Sequence, residues 1–140
     1  MCSHGRGGPA RFALGSVADR LLRYGTSPLL LVRAFGEPMS MEQVVVPLDG
    51  SALAEEALSM LGLLAGMIVQ EVILLRVVGE AGEGPEAEGY LEGIAQRLRP
   101  TRVRFSLRIA QGDAGQAIIE LAETGKLVVM ATHGRTGLRR

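Results

Sequence analysis

Gly5, nine further residues and then Gly15-Ser16 at the opening of a helical pattern form the stretch of this sequence with most capacity for chemistry. Glycines let a backbone come close to a ligand, and the unpaired N–H groups at a helix N-terminus attract phosphate. The hydroxyl of Ser16 has two uses there: it can cap the helix, or it can donate to a phosphate oxygen. Spacing alone leaves both open. No Walker A, HExxH or GxSxG sequence is present, and Ser16 has no histidine beside it in sequence to act as a base.

Other reactive side chains are sparse. His4 and His133 have no second histidine or carboxylate at ligand spacing, so no metal role is read for them. Cys2 is the single cysteine, which excludes an internal disulfide and matches a reducing compartment. Lys and Arg total 15 and Asp and Glu total 15, so the net charge of zero favours neither nucleic acid nor anionic membrane. The acidic stretch over 80–92 and the basic one over 97–108 lack interleaved aromatics for stacking bases and read as solvated faces. No run reaches the roughly 18 apolar residues of a membrane span, and no apolar segment of a secretory leader follows Met1. The expected setting is the cytoplasm.

The elements that must position the loop are legible from periodicity. Leu29–Val32, Val44–Leu48, Val72–Val78 and Leu127–Ala131 are nearly continuous apolar runs, as in parallel strands covered on both faces. Val103–Ile109 alternates apolar residues with Arg104, Ser106 and Arg108, which suits a sheet edge. Ala54, Ala57, Leu58, Leu61, Leu64, Ala65 and Ile68 make one helical stripe. Shorter stripes run through Leu91–Leu98, stopped by Pro100, and through Ile118, Leu121 and Ala122. Ser16–Asp19 has the form of a capping box, with Gly25 as the stop. Alternating strands and helices predict a three-layer α/β fold with a parallel sheet.

The two ends of the sequence repeat one another. Met1, His4, Gly5, Arg6, Gly8 and Arg11 recur in register as Met130, His133, Gly134, Arg135, Gly137 and Arg140. If the copies are equivalent, residues 12–33 continue what residue 140 breaks off, and the elements of one domain stand in rotated order.

The sequence resembles the universal stress protein family. Nucleotide-binding members carry Gly, two residues, Gly, nine residues, then Gly-Ser or Gly-Thr. Here the register is Cys2, Ser3-His4, Gly5, nine residues and Gly15-Ser16, and the second copy gives Ala131, Thr132-His133 and Gly134. Val44–Ser51 resembles the family's first strand and turn, Glu71–Val78 its second strand, and Leu127–Gly134 its fourth strand and loop. Residues 1–33 resemble the end of a family domain and 41–140 its first three quarters, the pattern of the middle of a tandem two-domain member. One composite domain is expected: last helix and strand in 1–33, a linker over 34–42, then four strands and three helices in 43–140.

The resemblance implies a doubly wound five-stranded sheet of flavodoxin-like order 3-2-1-4-5, circularly permuted, with ligand at the carboxyl ends of strands one and four. It implies ATP with Mg²⁺ as ligand. The adenine pocket falls on Asp49 and the backbone of Val77, and the ribose contacts fall on Pro47 and Ala131. The phosphate contacts fall on Gly134, Gly15, Ser16 and Val17, with His133 in the same loop. Side chains at Cys2 and Ala131, where the motif has its first glycine, crowd the sugar. The implied function is an ATP-binding stress-response protein, non-catalytic or weakly hydrolytic, partnered as a homodimer or by a tandem domain. The rival readings are a nucleotide-free dimerising interaction module and a phosphoryl-transfer enzyme acting through the helix N-terminus.

Overall fold

The structure, a computed structural model, describes residues 2–3, 16–25, 29–33, 40–64, 68–79, 83–99, 103–122 and 126–131. The chain divides into two compact units, Pro38–Thr132 and a smaller one of Met1–Glu37 with His133–Arg140. They are described separately.

In the larger unit, β3 (Ser40–Pro47), α2 (Ala52–Leu64), β4 (Glu71–Val78), α3 (Gly84–Leu98), β5 (Arg104–Gln111), α4 (Ala114–Ala122) and β6 (Lys126–Val128) follow in order. The four strands form one parallel sheet in the order β5-β4-β3-β6. The run of apolar residues in β3 and β4 is explained by cover on both faces. Val44, Val46, Leu48, Val72 and Leu74 pack with Ala54, Ala57 and Leu61 of α2 and with Leu91 and Ile94 of α3. Val45, Ile73 and Leu75 point the other way, towards Ala117, Ile118 and Leu121 of α4. β5 is an edge strand, as its alternation predicts: Phe105 and Leu107 join the first cluster while Arg104 and Arg108 are exposed.

The helix ends follow local chemistry. Ser51 precedes α2 and its Oγ accepts from the N–H of Ala54 at 3.1 Å; Asp113 precedes α4 and its Oδ1 accepts from the N–H of Gln116 at 2.7 Å. Pro85 sits in the first turn of α3, where its missing N–H costs nothing. Several boundaries differ from expectation: β3 begins at Ser40, inside the linker expected over 34–42, and the strand expected over Leu29–Val32 is a strand only at Val32–Arg33. The described α2 ends at Leu64, and Ile68 is 52% exposed rather than part of the buried stripe. β6 ends at Val128 rather than Ala131, because its last ladder bond is from the N–H of Val129 to the carbonyl of Val45.

In the smaller unit, α1 (Ser16–Tyr24) occupies the helix predicted from the capping box. The N–H of Gly25 donates to the carbonyl of Leu21 at 2.8 Å, and a Cβ at position 25 would stand 2.5 Å from that oxygen, which reserves the stop for glycine. β1 (Cys2–Ser3) pairs in parallel with β2 (Val32–Arg33), Cys2 opposite Val32 and Ser3 opposite Arg33. The sequence reading gave Cys2 no strand. In the repeat, Cys2-Ser3 aligns with Ala131-Thr132, which follows the apolar run from Leu127. The described strands thus form a four-stranded and a two-stranded sheet, rather than the one five-stranded sheet expected.

At the amino end of the larger sheet, Glu71 accepts from Gln43 Nε2 at 2.7 Å and from Ser106 Oγ. The Ser106 bond first and the Gln43 bond second hold its carboxyl below the ordinary value of 4.5, with Arg104 and Lys126 adding their charge. A depressed native value contributes stability above the ordinary carboxylate range that is lost as pH falls through the native value. Glu71→Gln is therefore expected to lower stability near neutrality and to flatten its decline below about pH 4.5. Urea midpoints across that range read this directly, and parallel declines in the two proteins would exclude it.

Candidate functional site

The strand order reverses at β3. Its chain connection through α2 leads to β4 on one side, and β6, last in the chain order, lies on the other. Crevices outside the carboxyl ends of strands at such a switch point are where open α/β sheets bind ligands. Pro47 closes β3, opposite Leu75 of β4. After Leu48, whose N–H donates to the carbonyl of Leu75 at 2.8 Å, the chain leaves the sheet and turns towards α2.

Asp49 and Gly50 make that turn. Asp49 is exposed, and its Oδ1 accepts from the N–H of Ser51 at 2.8 Å, an Asx turn leading into the Ser51 cap. Gly50 has φ of 84°, in the left-handed region that favours glycine. The hydroxyl of Ser51, then its N–H, and less strongly the charge of Arg76 hold the Asp49 carboxyl below its ordinary value. Asp49 is therefore an ionised acceptor near neutral pH, available to an amino group or a hydroxyl. The turn role and the ligand role do not compete, since one carboxylate offers about four acceptor sites.

Several predicted site residues lie at this end of the larger unit. Pro47 and Asp49 come from β3 and its turn. Val77 lies one residue from the end of β4, opposite Ala110 of β5, and packs in the α4-side cluster. Ala131 follows β6 and packs half-buried against the α2- and α3-side cluster, so the Cβ in place of the motif's first glycine is accommodated by the core. Ser16 and Val17 open α1 in the smaller unit, and Val17 is 63% exposed. Gly15, His133 and Gly134 lie outside the described residues.

Sequence reasoning passed over Arg76, which faces the same turn. It carries the only charge between Val72 and Val78. A lone arginine in an otherwise apolar central strand was the available signal, because such a charge is kept only where something holds it.

The universal stress protein family matches residues 1–33 and 41–140, the same two pieces that the resemblance delimits. A universal stress protein of Mycolicibacterium smegmatis is 28% identical over 150 aligned positions, covering 96% of this chain and 51% of the relative. The chain thus spans about half the length of that relative. Among solved structures, the hypothetical protein MJ0577, whose biochemical function was assigned from its structure, aligns with a TM-score of 0.63 at 25% identity, over 72% of this chain and 81% of its own. The universal stress protein UspA from Lactobacillus plantarum shares the fold with a TM-score of 0.52 at 19% identity, over 72% and 84%. A family match over nearly the whole chain leads to one conclusion: the chain belongs to the universal stress protein family.

Proposed function

We propose that this chain binds an adenine nucleotide, ATP with Mg²⁺, as a non-catalytic or weakly hydrolytic stress-response protein of the cytoplasm. The observation that carries this reading is the Asp49 carboxylate, held ionised and exposed on the turn where β3 ends beside the switch point. An amino group on the base is a donor for that carboxylate, and the backbone of Val77 offers the base a second contact. Pro47 and Ala131 flank the ribose. The phosphates lie on the glycine loop, at Gly134 with its neighbour His133 and at Gly15, Ser16 and Val17, where backbone N–H groups receive them without a general base. Bound Mg²⁺ supplies charge neutralisation to the phosphate oxygens. In this proposal residues 1–33 complete the sheet as its fifth strand and last helix, giving order 3-2-1-4-5 in circularly permuted sequence, with 34–42 as linker. The chain works with a like domain, as a homodimer or tandem pair.

Calorimetric titration with Mg·ATP tests the reading. Binding in the micromolar range or weaker is expected, together with about a tenfold loss or more for Asp49→Ala and for Gly15→Val, whose branched side chain blocks phosphate approach. Equal heats from wild type and both variants would refute it. The absence of any heat would favour the dimerising interaction module. Stoichiometric phosphate release within minutes, rather than slow release over hours, would favour the phosphoryl-transfer enzyme.

A further inference from the structure

Three observations meet at the guanidinium of Arg76. Its Nη1 donates to the carbonyl of Leu48 at 3.4 Å, a long contact for a hydrogen bond. Its Cζ stands 5.7 Å from the centroid of the Tyr90 ring, within cation–π range. A Cβ on Gly50 would lie 2.9 Å from Nη1, so the guanidinium fills the space against that glycine. Leu48 and Gly50 bracket Asp49. Tyr90 is itself fixed: its hydroxyl donates to Glu55 Oε1 at 3.1 Å, and Glu55 Oε2 accepts from Arg97 Nη2 at 2.7 Å. The ring of α3 is thereby tied to α2, the helix that follows the turn.

We propose that Arg76 is a positioning residue of the nucleotide site: seated on the Tyr90 ring, its guanidinium holds the Leu48–Gly50 turn in the shape from which Asp49 presents its carboxylate. The inference rests on the reading that Asp49 meets the nucleotide. A planar guanidinium can lie on a ring and direct an N–H to a carbonyl at once, whereas a lysine ammonium on a flexible stem cannot make both contacts in that form. Glycine at 50 serves both the positive φ and the guanidinium, and so the turn and the arginine specify each other.

The test compares Arg76→Ala and Arg76→Lys with Arg108→Gln, which removes an exposed charge from β5, the strand on the other side of β4 from the turn. Two readouts on the nucleotide-free protein need no ligand: the amide resonance of Ser51, which reports its bond to Asp49, and the carboxyl titration of Asp49. In Arg76→Ala the Ser51 amide is expected to shift and the Asp49 midpoint to rise, partially, because the Ser51 hydrogen bonds remain. Mg·ATP affinity is expected to fall about tenfold in Arg76→Ala and about threefold in Arg76→Lys, with Arg108→Gln at the wild-type value. An unchanged Ser51 amide and Asp49 titration in a folded Arg76→Ala protein would overturn the inference. So would unchanged affinity in that variant when wild type binds. If wild type does not bind ATP, the nucleotide reading fails, and the two ligand-free readouts still decide whether Arg76 holds the turn. Should Arg76→Ala fail to fold, Arg76→Lys carries the same comparison.

Discussion

Leu74→Ala will cost the larger unit about 3–5 kcal/mol, against a net stability for ordinary domains of about 5–15 kcal/mol. Leu74 is fully buried at the centre of β4. Its side chain belongs to the cluster in which Val46 and Val72 of the sheet meet Leu61 of α2 and Leu91 of α3. Alanine there removes three carbons and leaves a cavity bounded by the sheet and helices, which cannot easily collapse. Leu63→Ala is the internal comparison. Leu63 lies in α2 but is 68% exposed, so its truncation is expected to stay within about 0.5 kcal/mol. Urea unfolding of the two variants separates them by several-fold in midpoint shift. A Leu74→Ala protein that unfolds with the wild-type midpoint would mean that the packing around β4 is not the core of the unit.

The same pair shows what the sequence could and could not disclose. Leu74 lies in the run Val72–Val78, and a continuous apolar run in a chain of alternating elements has one economical explanation, a strand covered on both faces. Leu63 is as apolar as Leu61, yet α2 turns it outward; only the stripe through Ala54, Ala57 and Leu61 separates them in advance. β5 was legible for the opposite reason, since its polar residues Arg104, Ser106 and Arg108 recur with period two. The starts of α2 and α4 went unread, although Ser51 and Asp113 carry them with oxygens that accept from the N–H three residues on. Ile68, expected in the stripe of α2, lies beyond the described helix and is 52% exposed.

The candidate site was legible only through the repeat and the resemblance. Asp49 in isolation reads as a turn residue, and the structure indeed places it in an Asx turn. The ligand role proposed for it depends on where that turn sits in the sheet, which is a property of strand order and not of the residues around it. Arg76 was missed because its partners, Leu48 and Tyr90, are 28 and 14 positions away, and no periodicity joins a carbonyl, a ring and a guanidinium. The short β1 was hidden for a different reason. Two residues carry no pattern, and only the equivalence of Cys2 with Ala131 gives the pair a meaning.

That equivalence leads to the prediction with the largest constructive effect. If His4-Gly5 and His133-Gly134 are the same point in the fold, residues 41–134 followed directly by residues 6–33 restore the family's order of elements without a linker. The joined segment carries an apolar helical stripe, Val17, Leu21 and Tyr24, which are 63%, 44% and 69% exposed, and its strand approach carries Leu30 and Leu31, also exposed. A helix with such a stripe gains its stability from the surface it covers rather than from propensity. Covering these side chains is worth about 1.5–3 kcal/mol each at full burial, and roughly half of that from their present exposure. Ordering the strand and loop opposes this by about 1–2 kcal/mol for each residue newly fixed. A higher Tm for the joined chain than for residues 41–140 alone is expected. Thermal unfolding of the two chains makes the comparison, and hydrogen exchange at residues 29–33 of the joined chain shows whether that segment has entered a ladder. Equal Tm values with unprotected amides at 29–33 would mean that the segment is not the missing quarter of the sheet, and the five-stranded reading would fall with it.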